Sequence, residues 1–335
     1  MRVLLVTSWD TSCGIAEHSR LLKEYVERAD PGIEVIPGAD WLNPVALHAR
    51  LAWTKESPDE TIIHLNHHDA LHSAWTPQDV QQLRDQEYEV VVTFHDTNAG
   101  VSDQPSSAKL KAFTQVDSST IVHEPVGDIK AIYWRQGVPD AAVDPMDYAA
   151  EFTFLAYPQQ PILGTVGFHF PWKNYDRLCE MTAEVGWAMV ILANNATSTD
   201  TARWRGLNPH GLYITQFVST PAAIQHLAGC DATAFAYECA NTGTSGAIRL
   251  GIAARKPVIA FQGCRQFRDL LLDQLGRLAI CWVDDWGGLA RVLSQNLASS
   301  RYDPSIVHLA TQDSWQQLGA NYAKLYRALT EGVPL

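Results

Sequence analysis

Asp231-Ala232-Thr233-Ala234-Phe235-Ala236-Tyr237-Glu238 runs into Cys239-Ala240-Asn241-Thr242-Gly243-Thr244-Ser245-Gly246-Ala247-Ile248-Arg249-Leu250, and Pro257-Val258-Ile259-Ala260-Phe261 follows. An apolar strand ends in a carboxylate. A Gly/Thr/Ser loop comes next, then a helical stretch, then a second apolar strand. That order is a βαβ unit, with its loop at the carboxyl end of a buried strand, where open α/β sheets bind ligands. The loop and the helix start offer N–H and hydroxyl donors suited to phosphate. No GKS or GKT follows, so it is not a P-loop, and the missing GxGxxG lowers a dehydrogenase reading.

The same alternation extends in both directions. Upstream, Ile162–Val166, Ala188–Leu192 and Asp231–Phe235 read as strands, and Tyr175–Val185 and Pro221–Ala228 as helices. Downstream, Gly246–Ala254, Trp286–Leu297 and Ser314–Leu329 read as helices. Nearer the N-terminus, Arg2–Thr7, Glu34–Ile36, Thr61–Leu65, Glu89–Phe94 and Ser119–Val122 are strand signals. Gly14–Arg28 and Gln78–Asp85 are helical, the latter behind a Thr76/Asp79 capping pattern. Between Gly137 and Gln160 the chain is rich in Pro, Ala and Asp, a linker composition. The expectation is α/β, two doubly wound Rossmann-like domains facing a central cleft. Residues 1–155 would form the first domain and 156–312 the second. Residues 313–335 would form a terminal helix packing back on the first domain.

Bulk properties fit this. At 335 residues with 46% hydrophobic content, the chain is long enough for two cores. Residues 1–150 hold 11 Lys+Arg against 23 Asp+Glu, whereas the remainder holds 14 of each. The net charge of −12 thus sits in the first half, which makes nucleic acid a poor partner for it. No apolar run approaches the ~20 residues of a membrane helix. The short apolar N-terminus reads as a buried strand, not a signal peptide. Six scattered cysteines without a CxxC pair suit reduced thiols, and a cytoplasmic location is expected.

Loops after strands carry the candidate chemistry. Gly14 opens the first helix, where an anion can approach. His95 ends the most apolar strand, with a ring suited to proton or hydrogen-bond work. Lys173 precedes a helix, a good place for a cation to meet a diphosphate. Glu238 ends its strand, and Gly243, Thr244, Ser245 and Gly246 form the phosphate-facing loop. The stretch His64, His67, His68, Asp69 and His72 is histidine-rich, and His68 and His72 have the i, i+4 spacing that zinc uses on a helix. No cysteine or second carboxylate accompanies them, so the loop is read as polar lining on the acceptor side, with no metal and no cofactor expected.

Taken together, CGIAEHS after the first strand, VVVTFHD, GTVGFHFPWKN, DATAFAYE…SGAIRLGIAARKPVIAF, QFRDL and the SWQQLGANYAKLY helix resemble the GT-B glycosyltransferases, particularly the retaining family 4, over nearly the whole chain. The resemblance implies a nucleotide-diphosphate sugar as donor and an unknown hydroxylated acceptor as partners. It implies that Gly14 admits the donor phosphate, His95 sits beside the donor sugar, Lys173 neutralises the leaving diphosphate and Glu238 contacts the sugar. Two positions depart from the pattern. The second carboxylate of the family falls on Gly246, or on Leu250 when counted back from Pro257, and the arginine before the lysine falls on Phe168. Arg249, Arg265 and Arg268 are the candidate replacement cations. A sugar-nucleotide epimerase and a non-catalytic nucleotide-sugar binder are the alternatives.

Overall fold

The computed structural model describes residues 1–95, 105–116, 119–123, 126, 129–140, 160–238, 243–295 and 304–333. Most of the expected linker and residues 239–242 of the Gly/Thr/Ser loop lie outside the described residues. Two compact units emerge. The first comprises Met1–Gly137, a short piece around Thr244 and the tail Trp315–Leu335; the second comprises most of Val138–Ser314.

The first unit is a six-stranded parallel sheet built from β1 (Arg2–Val6), β2 (Glu34–Gly38), β3 (Thr61–His67), β4 (Glu89–Phe94), β5 (Ser119–Val122) and β6 (Ile132–Tyr133), in the order β2-β1-β3-β4-β5-β6. Its helices are α1 (Gly14–Ala29), α2 (Pro44–Thr54), α3 (Pro77–Asp85) and α4 (Pro105–Phe113). β1 and β4 carry continuous Val/Leu runs because both faces of the sheet are covered. One face packs Leu4, Val6, Ile63 and Leu65 with Trp75 and Leu47; the other packs Val3, Leu5 and Ile62 with Leu22 and Val26 of α1.

The second unit has strands β7 (Ile162–Phe168), β8 (Ala188–Asn194), β9 (Gly211–Ile214), β10 (Ala232–Phe235), β11 (Val258–Phe261) and β12 (Ile280–Val283), ordered β12-β11-β10-β7-β8-β9. Relabelled from its own first strand, this is 6-5-4-1-2-3, the order of the dinucleotide-binding fold. Its helices are α5 (Tyr175–Glu184), α6 (Ser198–Leu207), α7 (Thr220–Ala228), α8 (Gly246–Ala253), α9 (Arg268–Leu272), α10 (Gln274–Ala279), α11 (Trp286–Ser294) and α12 (Ser305–Gln312). The chain then returns to the first unit as α13 (Trp315–Glu331). There Trp315, Leu318, Tyr322 and Tyr326 bury themselves with Tyr25 and Val26 of α1. Gly319 permits that approach, since a Cβ there would stand 2.7 Å from the Tyr25 backbone.

Candidate functional site

In the second unit the strand order reverses between β7 and β10, which are hydrogen-bonded neighbours. Ligands bind outside the carboxyl ends of the strands at such a reversal. The end of β7 and the turn after it carry Gly167 to Asn174, and Glu238 lies just past β10, so the topology sets these two strand ends side by side.

Gly167 has φ 133, a conformation that glycine alone adopts readily. A Cβ there would fall 2.2 Å from Lys173 Nζ and 3.3 Å from Ala247 Cβ. The absence of a side chain at Gly167 is therefore what lets the lysine ammonium reach the first turn of α8. Lys173 is buried, and its Nζ lies 5.0 Å from the centre of the Tyr237 ring. Ser245 is the N-cap of α8 and makes no side-chain capping bond. The first-turn N–H groups, which no helix satisfies internally, thus stand near a buried cation. Gly246 is the first residue of that turn. Gly243, with φ 94, occupies the left-handed region, and Thr244 connects it to Ser245.

Glu238 is exposed and held from two sides. Trp286 Nε1–H donates to its Oε1 at 2.8 Å, and Asn174 Nδ2 donates to its Oε2 at 3.2 Å. Its backbone N–H donates to the Trp172 carbonyl at 2.9 Å, which ties β10's end to the Lys173 turn. Asn174, at φ 54, also donates to the Trp172 and Ala236 carbonyls, at 3.2 and 3.1 Å. Gly167, Asn174 and Trp286 were not singled out from sequence. The first two lie inside the quoted GTVGFHFPWKN segment, whereas no local signal marks Trp286. Of the candidate replacement cations, Arg249 is turned to Asp269 inside the unit, with both side chains almost fully buried. Arg265 and Arg268 are half-buried on the turn into α9.

The first unit presents different chemistry at the ends of its strands. Gly14 starts α1, whose N-cap is Cys13; the Cys13 thiol accepts from the Ala16 N–H at 3.3 Å. No atom lies within 4 Å of where a Gly14 Cβ would stand, so the fold itself leaves that space open. His95 directly follows β4 with its N–H on the His67 carbonyl at 3.1 Å, and its Nε2 donates to Asn66 Oδ1. Burial, with the neighbouring rings His18 and His123 adding to it, holds the His95 pKa well below the usual imidazole range. The ring is neutral at physiological pH.

The histidine-rich stretch is not helical between His68 and His72. His72 is buried; its Nδ1 accepts from the His68 N–H at 3.1 Å, and its Nε2 donates to the Val6 carbonyl at 3.2 Å. His64 is likewise spent inside, between Thr93 Oγ1 at 2.8 Å and the Tyr326 hydroxyl at 2.6 Å. The i, i+4 spacing does not present two ligands on one helix face, because the chain turns there instead of winding on.

No protein-family model matches the chain, and no curated protein matches it. Solved structures do. A trehalose-6-phosphate synthase, OtsA, is similar over 100% of both chains, with TM-score 0.67 at 10% identity. The N-terminal domain of a Candida albicans trehalose-6-phosphate phosphatase is similar over 98% of this chain and 97% of its own, with TM-score 0.64 at 11% identity. WaaG, a glycosyltransferase involved in lipopolysaccharide biosynthesis, is similar over 97% of this chain and 99% of its own, with TM-score 0.59 at 11% identity. No helix among the described residues is long and apolar enough to cross a membrane. Two parallel six-stranded sheets with flanking helices, aligned end to end with such structures, give this chain the GT-B fold, two Rossmann-like units in one polypeptide.

Proposed function

We propose that the chain is a glycosyltransferase, a divergent relative of the retaining family 4 enzymes, moving a sugar from a nucleotide-diphosphate donor to a hydroxyl acceptor. The observation that carries this reading is the approach of the Lys173 ammonium to the first turn of α8, across the gap that Gly167 leaves at the reversal point of the sheet. Breaking a sugar–diphosphate bond builds an oxocarbenium-like sugar and an anionic leaving group. The chief catalytic need is preorganised positive charge on that anion. A buried ammonium and the first-turn N–H groups of a helix start supply it without a metal at the diphosphate. Glu238, fixed by Trp286 and Asn174, takes the donor sugar, and His95 works at the reaction centre as a neutral ring. Retention places acceptor attack on the face from which the diphosphate leaves.

The test is a thermal-shift screen of UDP-, GDP-, ADP- and dTDP-sugars, followed by product analysis with the donor that binds. A ligand at 100 times its Kd stabilises the folded state by about 2.7 kcal/mol. Transfer to an added polyol or glycan, with the anomeric configuration kept, supports the reading. A donor epimerised without any acceptor assigns the site to an epimerase. Binding without turnover reduces the protein to a nucleotide-sugar binder.

A further inference from the structure

His18 on α1, His95 at the end of β4 and His123 just beyond β5 are far apart in sequence, yet one ring nitrogen from each lies within 4.8 Å of the other two. The ring centres of His18 stand 4.4 Å from His95 and 5.3 Å from His123, and those of His95 and His123 are 5.4 Å apart. Trp315 of α13 packs edge-on against His18 at 4.8 Å and closes that side. His18 and His123 are buried, while His95 keeps part of its surface open.

The outer bonds of these rings decide which nitrogens face inward. His123 Nδ1–H donates to the Trp134 carbonyl at 2.8 Å, so its Nε2 carries the lone pair. The His95 Nε2–H donates to Asn66 Oδ1, so its Nδ1 carries the lone pair. Backing of an imidazole N–H by a carbonyl or amide oxygen is the pattern that orients metal-ligating histidines. Nε2 of His18 is buried and has no hydrogen-bond partner. Its Nδ1 meets Asn66 Nδ2 at 3.3 Å, the longest of the three outer contacts. For His18 to join the others, its proton must move to Nδ1, at the expense of that one weak contact.

We propose that His18, His95 and His123 form a binding site for a borderline divalent transition metal, zinc or a congener such as cobalt. A three-imidazole set suits these ions, and it lacks the oxygen ligands that magnesium and calcium require. Three protein ligands leave one coordination position for water or a substrate oxygen, and the exposed side of His95 is its entry. The site departs from the expectation of no metal drawn from sequence. All three ligands belong to the first unit, whereas Lys173 and α8 belong to the second. Ligation leaves His95 no free nitrogen, so its part beside the sugar narrows to contact through its C–H edge. The inference does not rest on glycosyl transfer, and its test contains no donor.

Purified full-length protein, stripped with dipicolinate, is titrated with Co²⁺ alone and followed by visible absorption and isothermal calorimetry. The expected result is one Co²⁺ per chain, with d–d bands of a four- or five-coordinate site, discharged by Zn²⁺. Removing a ligand should weaken binding by at least the ~100-fold seen when only the groups behind a ligand are changed. That loss is expected in His95→Ala and in His123→Gln, with native far-UV circular dichroism in at least the partly exposed His95 variant. His308→Ala, an exposed histidine of the second unit, should bind as the parent does. Absence of a stoichiometric d–d signal in the parent, or an equal signal in the His95 and His123 variants, overturns the site and leaves the three rings as a hydrogen-bonding pocket.

Discussion

The two units share an architecture but fill it differently. The buried histidines among the described residues, His18, His64, His67, His72 and His123, all belong to the first unit, where they bond to hydroxyls, carbonyls, amides or rings. The second unit has no buried histidine among its described residues. Its buried cations are Lys173 and Arg249, one set against a helix start and one against Asp269. One unit thus keeps neutral, tautomer-dependent groups at its strand ends, and the other keeps fixed positive charge. Strand order differs as well. The second unit has the dinucleotide-binding order, while the first reverses between β1 and β3. A single fold template therefore carries fixed positive charge in one unit and uncharged polar rings in the other.

Acid should separate the two units, and this is the largest effect expected. Burial lowers His64 to about 3 and His72 to about 4 from an ordinary 6.5. A depressed imidazole stabilises the folded state only above the unfolded pKa. As pH falls below 6.5 the unfolded chain takes up protons that the folded one refuses, and stability declines until the folded pKa is reached. At pH 4 the two rings together cost on the order of 5 kcal/mol, a large share of the stability of a domain. Hydrogen exchange after incubation between pH 6.5 and 4 should therefore open β3 and β4 before β7 and β8. If β7 and β8 open first, the contrast in buried histidine does not govern stability.

On the other side, Lys173→Ala should lower turnover by about 10²–10³, the usual loss when one preorganised donor to a developing anion is removed. Gly167→Ala sharpens this without touching the charge. The new methyl would stand on Lys173 Nζ, at a φ that alanine resists. The lysine must move, so kcat should fall by about 10-fold, with about 1–3 kcal/mol of lost stability from backbone strain. Steady-state kinetics with the matched donor and thermal unfolding read the two effects. Unchanged kinetics in both variants would remove the Lys173 turn from the site.

The central strands of both sheets announce themselves as apolar runs, so the βαβ order was legible from periodicity, whereas β6, β9 and β12 at the sheet edges were not. Helix α2 has a cap-and-first-turn signal in Asn43 and Pro44, but Trp53, 88% exposed, breaks the amphipathic pattern a helix is recognised by. β12 is four residues long and only partly buried, too short for a pattern. The positions of Lys173, just before a helix, and Glu238, just past a strand, were legible from the local order of elements. The trio His18, His95 and His123 was not, since its members come from three elements and meet only through the register of β4 and β5. Trp286 is invisible for the same reason, reaching Glu238 from 48 residues away.

The smallest expected effect compares one motif in two settings. Thr76 and Asp79 close α3 in the first unit with a capping box, and Thr197 and Asp200 close α6 in the second with the same one. The threonine hydroxyls accept from the N3 backbone at 3.3 and 3.2 Å, so the bonds themselves are nearly equal. Their surroundings are not. The first box is exposed, and water can replace what Thr76→Ala removes. Asp200 is buried, with Arg203 at 2.9 Å and His169 at 3.5 Å, and Thr197 is among the groups that hold its carboxyl below the ordinary range against the opposing effect of burial. Losing the cap bond costs ~1 kcal/mol in either place. Thr197→Ala should cost a further ~1 kcal/mol, because a buried carboxylate oxygen loses a donor that water replaces poorly. Because the units need not unfold together, each variant should be followed through the transition of its own unit. Equal shifts for the two substitutions would mean that Asp200 is as well solvated as Asp79, and that burial at this helix start adds nothing to its cap.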